Sequence, residues 1–157
     1  MTEQEVLAEK VENASPVQLV VMMLEGLDGA FDRGINAIET KEEEALERAV
    51  DKARAILTEL LATLWGDSEV AISSRQVYIY LNKLVTDAGN RSIKEPLEEA
   101  KKVLEPILEG WQHLEKNPSL TEETFSQKGP SIVAGMTYGK GTLNESLMDG
   151  DDRLGKG

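Results

Sequence analysis

The chain has 157 residues, no cysteine, one histidine and a formal net charge of -12. Disulfides, thiolate zinc sites and multi-histidine metal centres are thereby excluded, and nucleic acid or an anionic membrane surface is a poor match, since each needs a basic patch. The length suits one domain that buries its own core, and the acidic balance points to protein partners while keeping apolar binding surface soluble.

Residues 1–14 read as a short acidic lead in which Val6, Leu7 and Val11 are apolar. This lead has neither a basic cluster nor an apolar run, so no signal peptide is expected. No stretch approaches the ~18 apolar residues of a membrane span, and the cytoplasm is the expected compartment. The first strong helix start is Ser15-Pro16-Val17-Gln18. Ser15 can cap free backbone N–H groups, Pro16 fits the first helical position, and Gln18 completes a capping box. The helix is predicted to run to about Ile38. Val20, Met23, Leu24, Leu27, Phe31, Ile35 and Ile38 form its stripe. Gly26, Gly29 and Gly34 interrupt it at roughly 1 kcal/mol each relative to Ala, and close approach of another helix is the expected compensation.

A second start is read at Thr40-Lys41-Glu42-Glu43, with an apolar stripe from Leu46 to Leu64 and a stop at Gly66. The third helix is expected from about Ser68 to Ala88, ended by Gly89-Asn90. The fourth opens near Ser92-Ile93-Lys94-Glu95 and runs to about Lys116, with Pro106 inside it as an expected kink. Short connections make these helices antiparallel neighbours. The predicted fold class is therefore all-α: an antiparallel up-and-down four-helix bundle with a short N-terminal lid segment and a flexible C-terminal tail. The expected domains are an N-terminal segment over 1–14, the bundle over 15–117 and a glycine-rich tail over 118–157. That tail reads as disordered, with apolar islands at Ile132-Val133-Ala134 and at Leu143 with Leu147-Met148.

Enzyme motifs are missing. Gly110 stands three before His113, so no Glu-x-x-His metal pair exists there. The Asp149, Asp151 and Asp152 cluster lacks the closing glutamate of a calcium loop. The tail's Gly-Lys-Gly has no strand before it and is no phosphate loop. No cofactor or metal is expected. Tyr78, Ile79 and Tyr80 cannot all face inward on one helix, so at least one points outward. With Met22 and Met23 they line either an apolar groove for helical ligands or a wide core.

Ala14-Ser15-Pro16, then Leu19, Met23-Leu24 and Gly26, resembles the opening of a known family, the flagellin-export chaperones of the FliS family, with Glu25 where Tyr is frequent. Gly66, Glu69, Val70, Ala71, Val77, Tyr78, Tyr80, Leu81, Val85, Thr86, Asp87 and Ala88 fall in the register of its second motif. Asp67-Ser68, Ser74 and Gly89 depart from it, and Trp111 resembles the tryptophan of its last long helix. The likeness covers about residues 6–115.

The resemblance implies a bacterial cytosolic chaperone, not an enzyme. Its cargo would be the C-terminal segment of flagellin, kept from premature polymerisation and delivered to the type III export gate. An export-gate protein and an anti-sigma factor are further partners that the resemblance suggests. Met22, Met23, Ile79, Tyr80 and Leu84 are the expected partner-binding residues. Val6, Leu7 and Val11 are the expected lid, although residues 1–14 lack the tyrosine usual in that segment. Monomer and dimer both stay open. The alternative is a helical-bundle adaptor of another secretion or signalling system that recognises its partner with the tail. A phosphotransfer bundle acting through His113 is a third reading.

Overall fold

The computed structural model describes residues 2–64 and 66–119. The expectations for 120–157, a disordered tail with apolar islands, lie outside the described residues.

Five helices follow one another: α1 (Glu3–Asn13), α2 (Pro16–Glu39), α3 (Glu43–Ala62), α4 (Glu69–Arg91) and α5 (Glu95–Lys116). The last four form a closed ring in which α2 packs on α3 and α5, and α4 packs on the same two helices. Side-chain pairs fix the directions. Glu39, Asp28 and Glu25 of α2 meet Lys94, Lys101 and Gln112, so α5 runs antiparallel to α2. Along α2 and α3, Gly26 lies by Ile56 while Gly34 lies by Ala49 and Leu46, again antiparallel. The expected four-helix bundle is present.

Its core is a continuous apolar cluster. Leu24, Leu27, Phe31, Leu57, Leu60, Leu81, Val85, Leu97 and Leu104 are almost wholly buried in it, each worth roughly 1.5–3 kcal/mol of burial. Ser15 starts α2 as expected. Its hydroxyl accepts from the Gln18 N–H at 3.1 Å, and Gln18 Oε1 accepts from the Ser15 N–H at 2.8 Å. Ser68 likewise caps α4, accepting from the Ala71 N–H at 3.1 Å.

Several boundaries differ from the sequence reading. The acidic lead is itself helical: Thr2 and Glu5 make a reciprocal capping box at the head of α1. Thr40 does not start α3. Its hydroxyl instead donates to the Asn36 carbonyl at 2.9 Å, closing α2, and Lys41 turns the chain with φ 58°. Likewise, Ser92 ends α4 in the left-handed region and does not open α5. Gly89 and Asn90 do not stop α4, which runs on to Arg91. Gly89 is a contact glycine, since a Cβ there would lie 3.1 Å from Val50 of α3. The third helix of the ring begins on schedule, but α3 already ends at Ala62, before Gly66. Gly66 turns the connection at φ 94°, a region that favours glycine, and its carbonyl accepts from Arg75 at 2.9 Å. Pro106 lies on the exposed side of α5, where the carbonyl it leaves free, that of exposed Lys102, can reach water.

Candidate interaction surface on α4

The sequence of α4 carries two apolar patterns at once. Ala71, Tyr78, Leu81, Val85 and Ala88 repeat at helical spacing and are buried. Ile72 and Ile79 stand seven residues apart, which is two turns, and are 41% and 59% exposed; Tyr80 beside them is 43% exposed. Tyr78, Ile79 and Tyr80 thus divide as one inward and two outward. Burial pushes the Tyr78 hydroxyl up to about 12, because the phenolate would be stripped of water.

The flank of α4 toward α3 is marked by Gly89 against Val50. Val77 and Leu84 lie on the opposite flank by the helical step, toward α5, half-buried against the core. Val103 and Ile107 of α5 are half-buried in the same way, on the side of α5 away from Lys101 and its α2 partners. The outer strip of α4 is therefore continuous with an apolar seam between α4 and α5.

Charge sets this helix apart. α4 carries Arg75, Lys83 and Arg91 against Glu69 and Asp87, whereas each other helix holds more acidic than basic residues. Arg91 pairs with Asp87 at 3.3 Å and Arg75 is engaged by Gly66. Lys83 is exposed in line with Ile72, Gln76 and Ile79. The outer faces of α3 and α5 are charged, with Glu47, Asp51 and Arg54 on one and Glu98, Lys102, Glu105 and Glu109 on the other.

The other expected binding residues are placed elsewhere. Met22 and Met23 are half-buried on α2, with Met23 packed against the core. Since α2 and α4 are diagonal in the ring, the two methionines do not share one face with Ile79 and Tyr80. Leu84 is on the α5 flank of α4. Val6, Leu7 and Val11 are exposed on α1, a helix without a buried residue. Sequence reasoning missed Ile72, although its two-turn spacing from Ile79 on the polar side of the stripe was visible.

Three surface clefts of about 580, 390 and 470 Å³ lie along the α2–α3, α3–α4 and α2–α5 seams. None is lined by the expected binding residues. In the last, Lys101 bridges Asp28 and Asp32 at 3.0 and 2.6 Å. Burial would lower this lysine's pKa, but the hydrogen bonds to Asp32 and Asp28 outweigh that and raise it. Among the described residues no group of acidic or histidine side chains could hold a metal ion, and no helix is long and apolar enough to cross a membrane. His113 is exposed on the last turn of α5. An open apolar strip with a basic residue in line suits a peptide or helix more than a small molecule, which favours an enclosed pocket.

Comparison with known proteins gives two findings. Residues 2–118 match the family described as flagellar protein FliS. The flagellar secretion chaperone FliS of Salmonella typhimurium is 29% identical over 115 residues, covering 71% of this chain and 85% of that relative.

Proposed function

The chain belongs to the FliS family of flagellar proteins, a family of secretion chaperones and not of enzymes, and on that basis we propose that it is a cytoplasmic export chaperone for flagellin. It binds the C-terminal segment of newly made flagellin, blocks premature polymerisation and delivers the subunit to the type III export gate. An export-gate protein and an anti-sigma factor are further partners under this reading.

The observation that carries the proposal is the outward apolar strip of α4. A segment that folds on binding loses chain entropy costing about 2–5 kcal/mol, and a continuous apolar surface must offset it. Ile79 and Tyr80 offer exposed side chains for that purpose, with Leu84 leading into the α4–α5 seam. Met22 and Met23 on α2 serve as a second contact for cargo that wraps around the bundle. Val6, Leu7 and Val11 on α1 act as the lid.

Calorimetric titration of the full chain with the C-terminal segment of flagellin from the same organism tests this. One-to-one binding with a negative heat-capacity change is expected. Replacing Ile79→Asp together with Tyr80→Asp should weaken it by about tenfold or more, equivalent to 1.4 kcal/mol, with helical content unchanged. Unaltered affinity would remove this face from the site. If the intact chain shows no binding at all, the adaptor reading takes first place.

A further inference from the structure

We propose that two copies of this chain pair through the outer strip of α4, helix against helix and antiparallel, about a two-fold axis at Gln76. Among the described residues the exposed large apolar side chains lie near or on α1 and α4 alone. Charge decides between those two helices. α1 carries Glu3, Glu5, Glu9 and Glu12 against Lys10, so two α1 helices would repel each other. Each copy has a net charge of -12, and α4 is the helix on which bases outnumber acids. It is where two such acidic chains can approach.

One axis serves both kinds of contact. An antiparallel two-fold sets opposite each other residues whose midpoint is the axis. Glu69 and Lys83 have residue 76 as their midpoint, and so do Ile72 and Tyr80. Glu69 of each copy therefore meets Lys83 of the other, and Ile72 meets Tyr80. Ile79, one turn from the axis, falls opposite Ser73, whose small side chain leaves it room. All six residues are exposed and share one strip of the helix by the helical step. Neither Glu69 nor Lys83 is in an ion pair among the described residues.

The acids of the flanking helices stand clear of this contact. Glu43, Glu47 and Asp51 of α3, with Arg54, line the cleft beside Gly89, about 20 Å along the helix from Gln76 at 1.5 Å per residue. The two-fold carries them to opposite ends of the pair, far beyond the roughly 8–10 Å Debye length of ordinary salt. Arg48 and Lys52 lie on the other side of α3, toward α2. Glu98 and Glu105 of α5 line the cleft on its α2 side. The strip from Glu69 to Lys83 is about 21 Å long and one helix, roughly 10 Å, wide. That is well short of the ~800 Å² per partner of a standard interface, so the pair is weak and concentration-dependent. Paired chains hide the strip that cargo uses, so a second copy and cargo exclude each other. This exclusion rests on the chaperone reading; the pairing does not.

Sedimentation equilibrium of the full chain over a concentration series tests the pairing. The mass should rise from one chain toward two. Ile79→Asp should return it to one, with helical content by circular dichroism unchanged. Glu69→Lys and Lys83→Glu should each weaken self-association by about tenfold or more, equivalent to 1.4 kcal/mol. Mixed together, these two variants should associate better than either alone, because both charge pairs across the axis are then complementary. One chain at every concentration, a dimer that survives Ile79→Asp, or no gain on mixing would each overturn the proposal. Added flagellin C-terminal segment should convert dimers into complexes of one chain with one segment; a complex that keeps two chains overturns the exclusion. If the segment binds a chain that is monomeric throughout, the pairing fails and the chaperone reading stands. If mixing the charge variants restores dimers and the segment does not bind, the pairing stands and the chaperone reading fails.

Discussion

Two glycines on α2 carry opposite consequences. At Gly34 an added Cβ would meet Leu97 Cδ1 at 2.7 Å, and Leu97 is itself nearly fully buried. α2 touches both of its neighbours there, which is the close approach that offsets a helical glycine. Gly29 has no such neighbour: its nearest contact is the end of its own helix's Arg33 at 3.3 Å. Gly34→Val should therefore destabilise by about 1–3 kcal/mol through overpacking. Gly29→Ala should stabilise by about 0.5–1 kcal/mol, because it removes unfolded-state freedom and asks only that the flexible end of Arg33 shift slightly. Urea unfolding of both variants checks the pair, and the same sign for both would refute the contrast. The expectation that every glycine of this helix marks a helix contact holds at Gly34 and fails at Gly29.

At the scale of the element, the ends of the helices separate strong signals from weak ones. Ser15 and Gln18 satisfy each other's backbone N–H groups, so Ser15→Ala should cost about 0.5–2 kcal/mol. Thr40 has the same local pattern in sequence, yet its hydroxyl closes α2 and caps nothing on α3. Thr40→Ala should cost less than about 0.5 kcal/mol, because the hydrogen bond it removes is exposed and water can take its place at the Asn36 carbonyl. A difference in urea midpoint between these two variants is the measurement. Ser15 was legible because Pro16 fixes the register immediately after it. Thr40 and Ser92 misled because a hydroxyl at a helix junction can serve either neighbour, and the choice falls to the turn that packing demands. α1 was not read from the sequence, where 1–14 is only an acidic lead: its capping pair Thr2 and Glu5 is present, but no apolar face is strong enough to announce a helix, and it buries no residue.

At the scale of the molecule, three groups among the described residues titrate in one direction. Burial pushes Tyr78 up to about 12 from 10.0. Lys94 is raised by its hydrogen bond to Glu39, and Lys101 by Asp32 and Asp28 against the effect of burial. Each pKa is higher in the folded chain, so the unfolded chain loses these protons first as pH climbs. Stability is fully present below about pH 10 and falls as pH rises toward 12. Denaturation midpoints measured from pH 8 to 12 should show this decline, and Tyr78→Phe should flatten it between 10 and 12. A profile unchanged by that substitution would mean Tyr78 is not held as a buried neutral phenol.

The sequence by itself determined the all-α class, the four bundle helices and the inward stripes, because each follows from local spacing and capping chemistry read over one or two turns; the resemblance to the flagellar family rested separately on two motifs held in register. Ile79 and Tyr80 were also legible as residues with an outward share, since three consecutive large side chains cannot occupy one face. Tertiary structure alone decided that α2 and α4 are diagonal, so that the two methionines do not share a face with Ile79 and Tyr80, and that Gly89 is a contact and not a stop. Those outcomes depend on which helix stands beside which, and periodicity within one helix carries no information about its neighbour.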